Sequence, residues 1–281
     1  MKKFFEKVST KIIRLVAVTN QRQPFSLRQR KIYGIVNSSH YFMLKKNILL
    51  KIKKVALKTD HDVAFSGKSK GNKHLLRVVR VAKFLAQKTG ADESVVAAGA
   101  FLHDTALPSG NDYNYLKNKK IAKDLLKQFN LSLNELDGIA ECVASHEGTI
   151  TPKTLEAKIV HDADTLEKAG LLGIIRHTWK MANLKNINHE KVENHDVKMI
   201  LRHIEWRRKK LQTPIAKKIE KYLSITVNKQ KAKTIVALTA SMAFNGVITE
   251  KIALALRKHL NKKENQKLRE QLNLDYLNKF E

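Results

Sequence analysis

The stretch HLLRVVRVAKFLAQK, residues 74–88, decides the fold class. Leu75, Val78, Val79, Ala82 and Leu85 recur at the spacing that puts side chains on one helical face, and Gly90 follows as a stop. The same period continues outward. Asp92 can cap a second helix through Val95, Val96, Ala98 and Phe101 to His103. Pro108-Ser-Gly-Asn reads as a loop. Helices are expected over Leu116–Phe129 and Asn134–His146, and near Leu155–Lys168 where Pro152 opens one. Gly170 and Gly173 mark a tight junction before Ile174–Met181. Asp196–Lys210, Ala216–Ile225, Ala232–Phe244 and Glu250–Leu260 follow. Gln21–Leu27 and Asn183–Glu193 read as loops. With no hairpin signal and no repeat, the expected class is all-α, a bundle of ten or so helices.

Composition agrees. The chain has 281 residues, 43% of them hydrophobic, which is enough to bury a core. Eleven Gly and four Pro speak against collagen-like, mucin-like and turn-dense β proteins. The single Cys142 excludes an intramolecular disulfide framework and a cysteine zinc cluster. The net charge of +28 calls for an anionic partner or a crowded anionic cytosol. It divides as +13 over residues 1–60, +1 over 61–170 and +14 over 171–281. This suggests a basic extension at 1–60, a central domain at 61–225 and a helical extension at 226–281.

The N-terminal apolar stretch Ile12–Val18 is broken by Arg14 and has no small-residue cleavage site, so a secretory signal is not expected. Phe4, Val8, Ile12 and Leu15 fall at helical spacing with lysines between them. That pattern suits a helix packed on the domain, or a basic amphipathic helix on an anionic surface. Thr234–Ile248 is too short and polar to span a bilayer. A cytoplasmic protein, not integral to a membrane, is expected.

Four places concentrate ligand-type side chains: His74, His103-Asp104, His146-Glu147 and His161-Asp162-Ala163-Asp164. Each alone is weak, since a lone helical His is more often structural. Their context raises the odds. His103-Asp104 follows the apolar run Val95–Leu102, and Asp162 follows Ala157–His161. Polar groups flanking apolar runs are drawn inward, where a metal, a partner charge or hydrogen bonds must compensate them. Two imidazoles and two carboxylates suit a divalent ion of Mn, Fe, Ni, Co, Zn or Mg, with positions open for water and a phosphoryl oxygen. Such an ion would lower the pKa of water and polarise a phosphorus–oxygen bond.

The ordered pattern H…HD…D, as His74, His103-Asp104 and Asp162, resembles the HD-domain superfamily of metal-dependent phosphohydrolases. The segments around His74, Ala97–Asp104, Ala144–Gly148 and Lys158–Glu167 resemble that family's motifs in order, within about residues 66–225. The resemblance implies His74, His103, Asp104 and Asp162 as metal ligands. It favours Asp162 over Asp164, leaving Asp164 as a supporting acid counted with Glu147 among the candidate catalytic acids. Glu147 reads equally as a water-positioning base or a solvated loop acid. The resemblance places His146 near a substrate phosphate or a second metal. Arg77, Arg176, His177, His203 and Arg207 are further candidates for substrate contact, with solvated roles as the alternative for the basic ones.

Two departures stand out. Thr105-Ala-Leu-Pro108 supplies no acid after the HD pair, and Tyr115–Lys120 supplies no further His. This leaves the general base unassigned and favours one metal over two. The expected function is hydrolysis of a phosphorylated small molecule, a nucleotide or related ester. The alternative is a nucleic-acid-binding protein that uses the domain as scaffold or acts on nucleic acid. Its warrant is the basic flanks; against it stand 6% aromatics and no recognisable reading module. Ile235, Leu238 and Met242 read as core by default, and the oligomeric state is open.

Overall fold

The computed structural model describes residues 44–69, 73–110 and 112–281. The helix expected over Phe4–Leu15 and the loop Gln21–Leu27 lie outside the described residues. Within them there are twelve α-helices and no strand. They are α1 (Lys46–Asp62), α2 (His74–Thr89), α3 (Glu93–Leu102), α4 (Tyr115–Leu126), α5 (Leu133–Ser145) and α6 (Leu155–Glu167). Then follow α7 (Gly170–Asn183), α8 (Asn194–Arg208), α9 (Pro214–Leu223), α10 (Lys229–Phe244), α11 (Thr249–Leu256) and α12 (Lys262–Asn273). The fold is all-α. Helix α1 and helix α12 are additions to the sequence reading.

Local chemistry fixes the ends. The Asp92 carboxylate accepts from the Ser94 and Val95 amides at 2.8 and 3.1 Å and starts α3. Ser132 and Glu135 form a reciprocal capping box on α5. Gly90 ends α2 in the left-handed conformation, φ 74°. Pro214 opens α9, where its missing N–H costs nothing.

Two apolar clusters follow. The first joins α2, α3, α5 and α6 through residues such as Val78, Val96, Val143 and Ile159. Ile52 of α1, Ile219 of α9 and Tyr276 of the closing turn complete it. The second joins α7, α8, α10, α11 and α12 through Leu172, Ile200, Val236, Ile252 and Leu268. Ile235 is core, as expected.

Glycine sets the closest approaches. A Cβ on Gly99 would overlap the Cβ of Cys142, so α3 and α5 pack with nothing between them. Gly170 and Gly173 do not precede the helix as expected but lie within the first turn of α7. A side chain on Gly173 would strike the Lys168 carbonyl, which explains why a helix starts on residues that normally stop one. No helix among the described residues is long and apolar enough to cross a membrane.

Candidate metal centre

Three helix ends and one helix face converge between the two clusters. His74 opens α2, His103-Asp104 follows the last residue of α3, His146-Glu147 follows the last residue of α5, and Asp164 faces them from α6. His103 and His146 are held by the same device. Each Nδ1 donates to a carbonyl three residues back, Ala100 and Val143 respectively, at 2.8 Å. A carbonyl only accepts, so Nδ1 carries the hydrogen and Nε2 is turned inward.

The inward atoms lie close. His103 Nε2 is 3.2 Å from Asp104 Oδ2 and 3.7 Å from Asp164 Oδ1. His74 Nε2 is 3.3 Å from Asp164 Oδ1 and 3.8 Å from Asp104 Oδ2. His146 Nε2 is 3.8 Å from Asp104 Oδ1 and 3.6 Å from Asp112 Oδ1. Donors about 2 Å from a shared ion lie about 3 Å apart at right angles, so these spacings need only a small contraction. The Nε2 atoms of all three histidines and Asp164 Oδ1 are buried and make no hydrogen bond. Buried polar atoms are rarely left so, and the donor atoms of His74, His103 and Asp104 lie within 4.8 Å of one another, as do those of His146, Glu147 and Asp164, close enough to share a metal ion.

Three cations surround the outer side. Arg207 donates to Glu147 Oε2 and Asp164 Oδ2, both at 2.6 Å. Lys168 donates to Asp164 Oδ2 at 2.7 Å, and Lys180 to Asp112 Oδ2 at 3.0 Å and Glu147 Oε1 at 3.2 Å. Burial alone would raise the carboxyls of Asp164 and Glu147, but Lys168 and Arg207, with Lys180 beside Glu147, hold both well below the usual range. Burial raises Asp112 to about 7, with Glu147 and Asp104 adding to it against Lys180. Burial pushes His146 down to about 4, leaving it neutral. Burial also works against charge on His103, but Asp104 and Asp164 outweigh it and raise that ring to about 9.

Residues 72–169 match the family model described as HD domain. This segment is an HD domain. It contains His74, His103, Asp104, Asp112, His146, Glu147 and Asp164, whereas Lys180 and Arg207 come from the helices beyond it. The HD superfamily is one of metal-dependent phosphohydrolases. A crystal structure of a Lactobacillus plantarum protein, solved as a structural-genomics target, is similar in fold. Its TM-score is 0.51 at 21% identity, over 69% of this chain and 95% of that one.

The HD domain does not use all the expected residues as read. Asp162 is turned away from the histidines. Its carboxylate accepts from the Gln212 amide at 2.8 Å and from the amide and hydroxyl of Thr213 at 2.7 Å each, at the start of α9. Two residues along a helix is about 200° of rotation, so only one of Asp162 and Asp164 can face the cluster. The geometry brings Asp164 there. Arg77 is also taken: its Nε donates to Glu167 at 2.6 Å and its Nη1 to Glu250 at 2.7 Å. Arg207 braces two carboxylates through Nη1 and Nη2, and its buried Nε makes no hydrogen bond. Glu147 is neither a solvated loop acid nor an available base, because three cations hold it. His161 lies between the carbonyls of His146 and Lys210, at 2.8 and 3.1 Å, and links two loops.

Arg176 and His177 do reach the centre. Both line a cavity of about 20 Å³ with His74, Asp104, Lys168 and Lys180. His203 stacks on His177 with ring centroids 3.8 Å apart. Burial pushes His177 to about 2 and His203 to about 4, so both rings are neutral. Asp112, Lys168 and Lys180 were missed from sequence. Lys168 had one signal, its four-residue spacing from Asp164.

Proposed function

We propose that the chain hydrolyses a phosphate ester or anhydride of a nucleotide-like compound, with one divalent ion held by His74, His103, Asp104 and Asp164. The observation that carries this is the set of buried, unpartnered atoms His74 Nε2, His103 Nε2 and Asp164 Oδ1 around one point. Imidazole nitrogens with carboxylate oxygens suit Mn, Fe, Ni, Co or Zn, and the two carboxylates balance the ion's charge. Such an ion, when bound, supplies Lewis-acid polarisation of a phosphoryl oxygen and acidifies water.

The protein's own groups do the rest. Arg176 is half-buried, and its buried Nε and Nη1 find no acceptor among the described residues. Burial, with Arg77 close by, disfavours its charge, so an arriving phosphate would relieve a standing cost. Lys168 and Lys180, on the same cavity wall, add donors for further phosphoryl oxygens. His146, neutral and fixed through Nδ1, presents Nε2 to the same space. Arg207 keeps Asp164 and Glu147 ionised and in place. The cation set Lys168, Lys180 and Arg207 already neutralises Asp112, Glu147 and the outer oxygen of Asp164. This favours one ion over two.

The cavity holds about one oxygen-sized group, so a nucleotide enters only when its wall parts. Phe65 and Trp179 form that wall, edge to face at 4.9 Å. Phe65 sits at φ 51°, in the left-handed region that favours glycine. The test is hydrolysis by metal-reconstituted protein across dNTPs, NTPs, nucleoside monophosphates, cyclic dinucleotides and short RNA. Turnover of at least one class, abolished by His103→Ala with Asp104→Ala, supports the reading. Turnover unchanged by that double substitution refutes it.

A further inference from the structure

The last helices sort their charges by side. Glu264 turns inward and accepts from Lys231 Nζ at 2.8 and 2.9 Å. Glu270 accepts from the Tyr222 hydroxyl at 2.5 Å and from Gln266 at 3.1 Å. Glu250 is held by Arg77 and by the Lys73 amide. The bases turn outward. Arg257 and Lys258 in the turn after α11, and Lys262 and Arg269 on α12, are exposed. Among the described residues none of the four pairs with a carboxylate.

These four cations line a groove of about 540 Å³ together with Asn265 and Gln266, and no acid lines it. Lys262, Gln266 and Arg269 fall at intervals of four and three, one face of α12 about 10 Å long. The groove is braced. Asn265 Nδ2 donates to the carbonyls of Arg257 and Leu260, both at 2.9 Å, which ties the turn to the helix. That orientation leaves Asn265 Oδ1 without a hydrogen-bond partner.

We propose that this groove binds a polynucleotide strand through its phosphates. Four unneutralised cations, with Lys262 and Arg269 about 10 Å apart along α12, fit a chain of spaced phosphates better than a single one. No aromatic side chain lines the groove, so bases have no stacking platform and binding is independent of sequence. No apolar side chain lines it either, which disfavours insertion into a lipid surface. The site is independent of the metal centre, so either proposal can fail alone.

The test is fluorescence anisotropy of the full chain with a mixed-sequence single-stranded RNA, between about 50 and 200 mM salt. The variant replaces Arg257, Lys258, Lys262 and Arg269 with Gln. Its charge-matched control replaces the exposed Lys51, Lys53, Lys218 and Lys221 with Gln. The groove variant is expected to lose about tenfold or more in affinity, and its log–log salt slope to flatten by about 3, at roughly 0.7 per phosphate contact. The control stays within about twofold. Thermal melts check that both are folded; should the quadruple variant not fold, Lys258→Gln with Arg269→Gln is expected to flatten the slope by about half as much. Equal weakening of groove variant and control overturns the proposal, since diffuse charge would then suffice. So does absence of RNA binding at low salt, or binding confined to inorganic polyphosphate or phosphatidylglycerol vesicles.

Discussion

Arg207 donates to Asp164 Oδ2 at 2.6 Å, while Asp164 Oδ1 faces His74 Nε2 at 3.3 Å. One carboxylate thus spends its outer oxygen on the fold and keeps its inner oxygen for the centre. Arg207→Met removes the brace and takes a 2.6 Å partner from each of two buried carboxylates. Breaking such a pair costs about 3–5 kcal/mol. Arg207→Lys keeps the charge but cannot bridge both acids in one plane, and is expected to recover only part of the loss. Urea unfolding of the two variants measures this.

Arg176 is expected to behave in the opposite way. Among the described residues nothing accepts from its Nε or Nη1, so Arg176→Met should leave the urea midpoint unchanged or raised. A lost charged hydrogen bond to phosphate is worth about 1.5–3 kcal/mol, so kcat/KM should fall roughly 10- to 100-fold. Metal content should not change. A destabilised variant with intact kinetics would make Arg176 a structural residue.

His103 links the centre to pH. In the metal-free protein its pKa is raised to about 9, against about 6.5 in the unfolded chain. The folded form therefore binds more protons between those values. This contribution to stability is full below about pH 6.5 and is lost as pH rises through about 9. A bound ion needs the neutral ring, so apparent metal affinity should rise about tenfold per pH unit up to about pH 9. Calorimetric metal titrations in buffers of different ionisation heat would show the released proton.

The α3–α5 crossing depends on Gly99. Gly99→Ala puts a methyl group onto Cys142 Cβ, and overpacking of this kind costs about 1–3 kcal/mol. Because α3 and α5 carry His103 and His146 at their ends, metal affinity should fall along with the melting temperature. Gly99→Ala with Cys142→Gly, which removes the Cβ in the way, should recover part of both.

The helices were legible because their apolar period is local, and so were His74, His103 and Asp104, which sit where apolar runs meet polar residues. The choice between Asp162 and Asp164 was not legible from that signal. Both flank the same apolar run, and only the start of α9, about fifty residues on, claims Asp162. Lys180 carries no local sequence signal. Its partners Asp112 and Glu147 are 68 and 33 residues away, so no window contains them together. Arg77 likewise finds Glu250 across 173 residues. Arg207, a candidate for substrate contact with a solvated role as the alternative, is fully buried against Glu147 and Asp164.

The most direct test compares Asp164→Asn with Asp162→Asn in metal content and phosphate hydrolysis. The wild-type chain should bind about one equivalent of divalent ion, in keeping with a donor set of two imidazoles and two carboxylates. Asp164→Asn should lose both the ion and turnover, while Asp162→Asn keeps both at some cost in stability. Undiminished metal and activity in Asp164→Asn, with both lost in Asp162→Asn, would contradict the account.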